Sequence, residues 1–484
     1  MRIAIVGAGF AGLSAAKVLT AFDHDVTVFE KAPDVGGVWS RTRRYPGLTT
    51  QNDRGTYCLS DFPMPRHYPE WPSGEQVQQY LQAYAEHFGL LERIRLDTEV
   101  RSAVARGDGW DVDGEAFDHL VVANGIFSEP SLPDYPGVPE FTAAGGRLCH
   151  ASEFTELDDA RGRDVVVVGY GKSSCDVAVA LSEVSSSTTV VARELLWKMP
   201  RKLGGVVNYK YLLLTRLGEG LFRYHTPVGF EQFLHGPGRP VRNGMLGSIQ
   251  ALVTRQLKLA DVGLLPDGSI ERIARSTVSL VTDGFFEKAA DGTIRVHRDT
   301  AITRLLEKDG RGAVELADGT VLAADVVICG TGFQQRVPFL DQATQARLHD
   351  ERGNFALFRQ ILPHDVDRLT FCGYNSSFFS PLSAEIAALW IARHLQGELD
   401  LPPVEERRAS VAQRLRWMEE RTEGKHARGT NIIPFSVHNI DEMLGDLGAG
   451  VGRLRRLAEW LLPLRPGAYA GIPGTLAPRR GTAA

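Results

Sequence analysis

Three features are scarce or missing in this 484-residue sequence, and each absence excludes a class of protein. There is no excess of positive charge, because 54 Lys and Arg are set against 59 Asp and Glu, for a net charge of −5. Such a balance does not provide the broad basic surface that gathers nucleic-acid backbones, so we expect no nucleic-acid partner. No stretch approaches the roughly 18 uninterrupted apolar residues of a spanning helix, so we expect no membrane span.

The cysteines are few and widely spaced. The five stand at positions 58, 149, 175, 329 and 372, and no two form a CxxC pair or a close metal-binding spacing. We therefore expect reduced, buried thiols, no metal site and a cytoplasmic protein. The chain starts directly on a strand pattern without a cleavable apolar leader, which agrees with that expectation.

The overall composition, with 43% hydrophobic and 23% charged residues, is typical of a globular protein. The length of 484 residues predicts two or three domains. The first strong pattern is the apolar strand Ile3–Val6, which runs into the GxGxxG turn of residues 7–12 and then a helix. In such a turn Gly7 permits the tight bend, and Gly9 lets a pyrophosphate approach the backbone. Gly12 allows the helix to pack closely on the strand, so the pattern predicts a dinucleotide site.

The acid that ends the next strand selects the dinucleotide. Val26–Phe29 predicts that strand, and Glu30 at its end would accept hydrogen bonds from ribose hydroxyls and repel a 2′-phosphate. A further small-residue turn at residues 36–39 would let the backbone approach a rigid ring system, which favours FAD over NAD. The cofactor contacts predicted in this half are Gly7, Gly9, Phe10, Ala11, Gly12, Glu30, Lys31, Gly37, Val38, Trp39, Val100, Ala123 and Gly125.

A second unit repeats this order with the opposite charge. Strand Val165–Val168 leads into the GYGKSS turn of residues 169–174, and the following strand, Thr188–Ala192, ends in Arg193. A guanidinium at that place suits the 2′-phosphate of NADPH. Lys198, Arg201 and Lys202 follow closely and are further candidates for that phosphate. The contacts predicted in this half are Gly169, Tyr170, Gly171, Lys172, Ser173, Ser174, Arg193 and Gly332.

The two units predict an α/β protein with two Rossmann-like domains, one inserted into the other. Strand Val326–Cys329 and the turn after it resemble residues 120–125, so we infer that the chain leaves the first domain, builds the second and returns. The predicted ranges are 1–160 for the first part of the FAD domain, 161–322 for the NADPH domain, 323–465 for the returning strand and helices, and 466–484 for a tail.

Further motifs carry a resemblance to a known family. Residues 146–154, GRLCHASEF, look like the signature FxGxxxHxxx(Y/F), with Ala144 where the leading Phe usually stands. Residues 123–125 and 330–333 are similar to the strands that join the two domains of that family. The chain resembles the class B flavin-dependent monooxygenases, chiefly the flavin-containing monooxygenases and more distantly the Baeyer-Villiger enzymes. The ending in Phe154 favours the first branch.

The resemblance also implies catalytic residues. Residues 45–65 look like the family's segment beneath the flavin, and Gln51 stands where flavin-containing monooxygenases usually carry Asn and Baeyer-Villiger enzymes Asp. We predict Gln51, together with its neighbour Asn52, as the catalytic amides that donate hydrogen bonds to the oxygenated flavin. His150 in the signature is expected to serve the coupling of the cofactors.

An FAD site and an NADPH site in one chain predict hydride transfer between the cofactors. A disulfide reductase is excluded, because no cysteine pair could take the electrons. We expect O2 to react at flavin C4a, giving a (hydro)peroxyflavin that inserts one oxygen atom into N or S of a small lipophilic molecule. Baeyer-Villiger oxidation of a ketone or aldehyde stays open, as does an oxidase or electron-transfer flavoprotein. The aromatics of residues 204–247 would line a substrate cavity or pack the core, and homo-oligomerisation is left open.

Overall fold

The computed structural model describes residues 1–275, 279–375, 377–424, 428–430 and 434–476. In chain order the strands are β1 (Arg2–Val6), β2 (Asp25–Phe29), β3 (Ile94–Arg95), β4 (Ala103–Arg106), β5 (Gly109–Val112), β6 (Glu115–Phe117), β7 (His119–Val122), β8 (Glu129–Pro130), β9 (Arg147–His150), β10 (Asp164–Val168), β11 (Ser187–Ala192), β12 (Lys198–Met199), β13 (Lys202–Leu203), β14 (Val207–Asn208), β15 (Ser279–Leu280), β16 (Ile294–Arg298), β17 (Ile302–Lys308), β18 (Arg311–Leu316), β19 (Val321–Ala323), β20 (Val326–Cys329), β21 (Phe333–Gln334) and β22 (Leu369–Phe371).

The helices are α1 (Phe10–Ala21), α2 (Gly74–His87), α3 (Val138–Ala143), α4 (Lys172–Leu181), α5 (Lys210–Leu213), α6 (Arg216–Gly220), α7 (Phe230–His235), α8 (Arg239–Gln256), α9 (Phe285–Ala290), α10 (Gln342–Leu348), α11 (Ser380–Leu395), α12 (Val404–Thr422), α13 (Ser436–Asp446), α14 (Arg453–Ala458) and α15 (Ile472–Leu476). Short 3-10 turns lie at Gly37–Trp39, Leu91–Arg93, Ala151–Glu153, Leu157–Ala160, Ile270–Arg275 and Pro466–Tyr469. Residues 477–484 of the predicted tail lie outside the described residues.

Two five-stranded parallel sheets organise the chain. The first has the order β22-β7-β1-β2-β3 and the second the order β16-β11-β10-β20-β9. Their central strands are nearly continuous runs of Val and Ile, as expected for parallel strands covered on both faces. The second sheet lies wholly between β7 and β22 in the chain, which confirms the predicted insertion of one α/β unit into another.

One strand lies in a different sheet from the one expected. The predicted return to the first sheet at Val326–Cys329 is wrong, because this strand pairs with β10 in the second sheet. The strand that returns is Leu369–Phe371, which pairs with β7. Arg147–His150, which lies before the predicted start of the second domain, also joins the second sheet, on the far side of β20. The resemblance between residues 120–125 and the strand at 326–329 has a simpler cause, since each lies beside the glycine-turn strand of its own sheet.

The chain crosses between the two units twice, and the crossings lie side by side. Glu129–Pro130 on the way out pairs antiparallel with Phe333–Gln334 on the way back. The backbone N–H of Ser131 donates to the carbonyl of Gly332 at 3.0 Å, which extends this pairing. The two connections therefore form one double-stranded joint.

Helices cover the sheets and form a separate layer. Helix α11, whose helical spacing is apparent in the sequence, is buried along most of its length and packs against α1. Helices α6 and α7 lie against helix α13, and the Trp417 ring of α12 packs against Tyr224 and Phe435. None of the helices in the described ranges is both long and apolar enough to cross a membrane.

A buried charged cluster ties this helical layer together. His438 on α13 lies between two carboxylates, with Nδ1 3.0 Å from Glu219 and Nε2 2.7 Å from Glu231. The ring of Tyr224 stacks on the imidazole at 4.4 Å between centroids. Burial alone would lower the pKa of His438, but the hydrogen bonds to the two carboxylates raise it to about 10. The imidazole is therefore an imidazolium at neutral pH and donates from both nitrogens.

This cluster predicts a stability that falls in alkaline solution. A group whose pKa rises on folding stabilises the fold fully below its unfolded value near 6.5, and that stabilisation is lost as pH rises towards the folded value. We expect the free energy of unfolding to fall by about 1.4 kcal/mol per pH unit in this window. Denaturant titrations at several pH values check it. The slope should be smaller in His438→Gln and unchanged in His67→Gln, an exposed histidine; an equal slope in all three proteins would contradict the prediction.

Candidate active site

The first glycine turn lies where the order of the first sheet reverses. Strand β1 has β2 on one side and β7 on the other, and ligands of parallel α/β sheets bind at the carboxyl ends of strands at such a point. Gly7 has φ +112°, and a Cβ there would lie 2.4 Å from the carbonyl oxygen of Ala123. A Cβ on Gly12 would lie 1.8 Å from the carbonyl oxygen of Gly7. Only glycine fits at either position.

A cavity of about 510 Å³ opens beside this turn. Its walls include every contact predicted in the first half except Gly12, which lies beneath the turn. The small-residue turn at residues 36–37 closes on the glycine turn, since the N–H of Gly36 donates to the carbonyl of Ala8 at 3.0 Å. The two turns together leave a backbone-lined channel that side chains do not fill.

Glu30 is buried at the edge of this cavity, at the end of β2. One carboxylate oxygen accepts from the N–H of Ala8 at 2.7 Å and the other from the N–H of Ala32 at 2.9 Å. These bonds fix the carboxylate against the glycine turn, and each oxygen keeps a lone pair for a hydroxyl donor. The arrangement suits a ribose diol and opposes a phosphate.

Several cavity residues carry no local signal in the sequence. Arg43 lines the cavity, donates to the carbonyl of Phe127 and lies over the ring of Phe333. Gly373 and Asn375, which follow β22, also line the cavity. They come from the returning segment, so no spacing around the glycine turn could have indicated them.

The second glycine turn has the same relation to its own sheet. Strand β10 lies between β11 and β20, and Gly169 has φ +108° with its Cα facing the carbonyl of Gly330. Ser174, which replaces the third glycine, is buried, and its hydroxyl donates to the carbonyl of Gly330 at 3.3 Å. A Cβ on Gly171 would meet nothing within 4 Å, so the backbone of the turn is open to a ligand.

Lys172 is the first residue of helix α4, beside the turn. Its ammonium forms an ion pair with Asp176 one helical turn further on, and burial lowers the pKa of Lys172. Asp176 also accepts from the hydroxyl of Thr282 at 2.5 Å and from that of Tyr45 at 3.3 Å. The carboxylate thus links the NADPH-type helix to the segment beneath the predicted flavin site. Ser173 lies next to Lys172 and is partly exposed.

The basic residues after β11 fall into two groups. Arg193 is exposed at the end of the strand, where the 2′-phosphate was predicted. Lys198 was a further candidate for that phosphate, but it is buried, with its ammonium 2.7 Å from the carbonyl of Tyr170 and 3.0 Å from the hydroxyl of Ser279. The ring of Tyr170 is buried against Lys198, so only its backbone borders the turn.

The remaining candidates lie further along the chain. Arg201 forms an ion pair with Asp283 and donates to the hydroxyl of Thr49 at 2.6 Å. Lys202 lies 3.2 Å from the Glu70 carboxylate. Arg193 therefore stays the residue best placed for the phosphate.

The two predicted catalytic amides face different neighbours. The side-chain nitrogen of Asn52, which is buried, donates to the carbonyl of Phe378 at 2.6 Å. The side-chain oxygen of Gln51 accepts from the N–H of Leu280 at 3.1 Å. Neither lines the cavity beside the glycine turn, but Phe378 belongs to the same returning segment as Gly373 and Asn375. The catalytic roles of the two amides stay a prediction.

Tyr209 is the residue that sequence reasoning missed here. It comes from the aromatic-rich stretch, is fully buried, and its hydroxyl lies 3.1 Å from the carbonyl of Gln51 and 3.5 Å from the side-chain oxygen of Asn52. Of the other aromatics, Phe222 and Tyr224 are buried, whereas Tyr211, Phe230 and Phe233 are exposed. None of these six side chains lines the cavity beside the glycine turn.

His150 holds the joint between the two units. Its Nδ1 accepts from the N–H of Ser152 at 3.1 Å, so Nε2 carries the proton and donates to the carbonyl of Gly332 at 3.0 Å. Burial lowers the pKa of His150, which keeps the ring neutral. The imidazole packs edge-on against Phe333, in the returning strand of the joint. His150 therefore acts on the turn at Gly332 and does not line the cavity beside the first glycine turn.

All five cysteines lie in the described part of the chain, and each is buried and free. Burial raises the pKa of the Cys149 thiol to about 11 and that of Cys372 to about 12. These thiols are protonated at neutral pH and are poor nucleophiles. The geometry agrees with the exclusion of dithiol chemistry.

Comparison with known proteins decides the family. A family model described as flavin-binding monooxygenase-like matches residues 1–451. The chain belongs to this family. It is an NADPH-dependent flavin monooxygenase whose cofactors are FAD and NADPH. The family resemblance and both cofactor predictions are thereby confirmed.

Relatives of this monooxygenase have modest sequence identity over most of its length. It is 28% identical over 431 residues to dimethylaniline monooxygenase (N-oxide-forming) 4 of Mus musculus, covering 83% of this chain and 71% of the relative. It is 27% identical over 504 residues to probable flavin-containing monooxygenase 1 of Arabidopsis thaliana, covering 92% of each.

Solved structures of two kinds share the fold. The S-allyl-L-cysteine S-oxygenase of Allium sativum superposes with a TM-score of 0.62 at 19% identity, over 95% of this chain and 91% of that one. Cyclohexanone monooxygenase in an open form superposes with a TM-score of 0.68 at 18% identity, over 92% and 97%. The fold of the monooxygenase is therefore common to oxygenases that act on different atoms.

The residues present fit both cofactors. Glycines fill the places where a Cβ would collide at the first turn, and the cavity beside it is lined by the predicted FAD contacts and ends at a carboxylate. The second turn has an open backbone and an exposed guanidinium. In this monooxygenase the first site would hold FAD and the second NADPH, although the individual contacts stay predictions.

Proposed function

We propose that this monooxygenase uses NADPH and O2 to add one oxygen atom to the nitrogen or sulfur of a small lipophilic molecule. The observation that carries the proposal is the buried amide Asn52, held by Tyr209 and by the segment that also forms one wall of the cavity. An amide donates hydrogen bonds without titrating, which suits the transfer of oxygen to a soft nucleophile. The relatives named for N-oxide formation and S-oxygenation support the same choice.

The chain's own residues would hold the catalytic amide in place and exclude water from it. FAD and NADPH, when bound, supply the electrons and the reaction with O2. Asn52 and Tyr209 are buried, which keeps water from the predicted catalytic position. The hydrogen bond from Asn52 to Phe378 fixes the amide, and the Tyr209 hydroxyl fixes the neighbouring backbone of Gln51. The peptide between the two amides is thus held from two sides.

The test compares where the electrons go with different substrates. The yellow holoenzyme is reduced with NADPH without oxygen, air is admitted, and NADPH, H2O2 and oxygenated product are measured with a tertiary amine, a thioether and a cyclic ketone. We expect product equal to most of the NADPH oxidised with the amine or thioether. Ester formation from the ketone would support the Baeyer-Villiger alternative instead. NADPH oxidation matched by H2O2 with every substrate would mark an oxidase.

Replacing the amides should separate reduction from oxygenation. We expect Asn52→Leu, which is close to isosteric, to keep the rate at which NADPH reduces the flavin but to lower oxygenated product about tenfold or more. The lost electrons should appear as H2O2. Gln51→Leu tests the second amide in the same assay, and Gln82→Leu, on the outer face of α2, is the control. Full coupling in both Asn52→Leu and Gln51→Leu would contradict the catalytic role of the amides.

A further inference from the structure

An exposed apolar surface lies far along the chain from the cofactor turns. We define the apolar face by the exposed residues Val228, Phe230, Phe233, Leu454, Leu457, Leu461 and Leu462 and by the partly exposed Trp460. Leu454 is 85% exposed, Leu461 71% and Leu457 68%. Single exposed leucines are ordinary, but so many large apolar side chains on adjoining segments mark an interaction surface.

The face is continuous across two parts of the chain. The ring of Phe230 lies 5.5 Å from that of Phe233 and 5.8 Å from that of Trp460. Leu454, Leu457 and Leu461 are spaced by three and four residues on helix α14 and the turn that continues it, so they share one side. The apolar side chains of both segments therefore form one surface.

Buried ion pairs hold this surface in place from behind. Arg216 donates to the carboxylate of Glu459 at 3.1 Å, and its backbone N–H donates to the carbonyl of the same residue at 2.8 Å. The N–H of Leu217 donates to the carbonyl of Trp460 at 3.3 Å. The carbonyls of Glu459 and Trp460 and the Glu459 carboxylate thus attach this segment to Arg216 and Leu217. Because these polar groups face the protein, the leucines of the segment point towards solvent.

The charge around the apolar face is opposite in sign to that of the whole chain. Residues 447–465 contain four arginines and one acid, Glu459, whose carboxylate is buried. Arg455 pairs with Glu459 and Arg456 with Asp441, whereas Arg453 and Arg465 are exposed. Residues 222–246 contain one acid, Glu231, which is buried against His438. Arg453 and Arg239 are exposed beside the leucines and the phenylalanines, respectively. A net charge of −5 therefore coexists with a local basic border.

We infer that the apolar face binds the surface of a lipid bilayer that contains anionic headgroups. Leucine and aromatic side chains flanked by arginines are the combination that inserts into the headgroup boundary, where the arginines meet the phosphates. A second copy of the chain fits less well, because a symmetric contact would bring each basic border against its twin. Residues 477–484, APRRGTAA, carry no large apolar side chain that could cover it.

The proposal is tested with the holoenzyme and vesicles in a flotation assay. The wild type should float with vesicles of equal parts phosphatidylglycerol and phosphatidylcholine, and much less with phosphatidylcholine alone. Leu454→Asp with Leu457→Asp should weaken binding to the mixed vesicles more than about tenfold. Arg453→Gln should weaken it about fivefold. Val206→Asp, at an exposed valine outside the apolar face, and Arg101→Gln are the matched controls.

The variants should keep their flavin content and their oxidation of NADPH, because neither leucine touches a cofactor turn. Absence of wild-type binding to the mixed vesicles would overturn the proposal. Equal binding of the double aspartate variant would also overturn it, since the apolar face would then be irrelevant. A dimer in sedimentation that this variant abolishes, with no vesicle binding by the wild type, would assign the face to a second copy instead.

Discussion

Gly9→Ala should give a folded, colourless protein. The Cβ of an alanine at this position lies 3.5 Å from the Cα of Gly37, an ordinary contact, and its φ of −82° is accessible to any residue. The methyl group therefore leaves the chain undisturbed but occupies the channel where the pyrophosphate of FAD must approach the backbone. We expect flavin absorbance per protein to fall more than about tenfold, with an unchanged circular dichroism spectrum.

Two other glycines separate this effect from general damage. Gly12→Ala places its Cβ 1.8 Å from the carbonyl oxygen of Gly7, so we expect lost flavin together with a lowered melting temperature. Gly247→Ala, inside helix α8 with nothing within 4 Å of the added Cβ, should keep its flavin and gain up to about 1 kcal/mol of stability. A yellow Gly9→Ala protein would show that FAD does not lie on this turn.

Arg193→Ala should remove the preference for NADPH over NADH. The exposed guanidinium at the end of β11 can donate charge-assisted hydrogen bonds to the 2′-phosphate, and their loss corresponds to about 10- to 100-fold in affinity. We expect the KM for NADPH to rise by that factor while the KM for NADH hardly changes. Steady-state kinetics with both nucleotides measure this directly.

The control for this prediction lies at the opposite edge of the same sheet. Arg163 is exposed just before β10, at the amino end of the strands, so Arg163→Ala should leave both KM values unchanged. If Arg193→Ala retains the wild-type preference, another residue must hold the phosphate. Lys198 is an unsuitable substitute, because its ammonium is already bonded to Tyr170 and Ser279 inside the protein.

The local elements of this fold could be predicted because the residues that determine each element lie close together in the sequence. Each apolar strand, before Gly7 or Gly169, lies with its turn and the following helix within 20 consecutive residues, 2–21 and 164–181 respectively. The same holds for the acid at Glu30 and the guanidinium at Arg193, whose positions follow from the strand ends. Sequence spacing therefore indicated the fold class and the two nucleotide sites.

Partners distant in the chain could not be predicted in this way. A buried strand of Val and Ile fits either sheet, so nothing in the sequence of Val326–Cys329 determines that it pairs with β10. The contacts of Asn52 with Tyr209 and Phe378 join segments more than 150 residues apart. Lysine is usually a surface residue, so the sequence suggested that Lys198 is exposed. Only the fold shows that its buried ammonium donates to the carbonyl of Tyr170.

The paired crossings have a mechanical consequence. Glu129–Pro130 pairs with Phe333–Gln334, and His150 is hydrogen-bonded to Gly332. The two connections between the units therefore form one joint and are not two independent linkers. Bending at such a joint displaces atoms in proportion to their distance from it. Because Gly125 and Gly332 adjoin it, any bending of the two units about this joint would change the spacing between the inner ends of the two predicted nucleotide sites less than that between their outer margins.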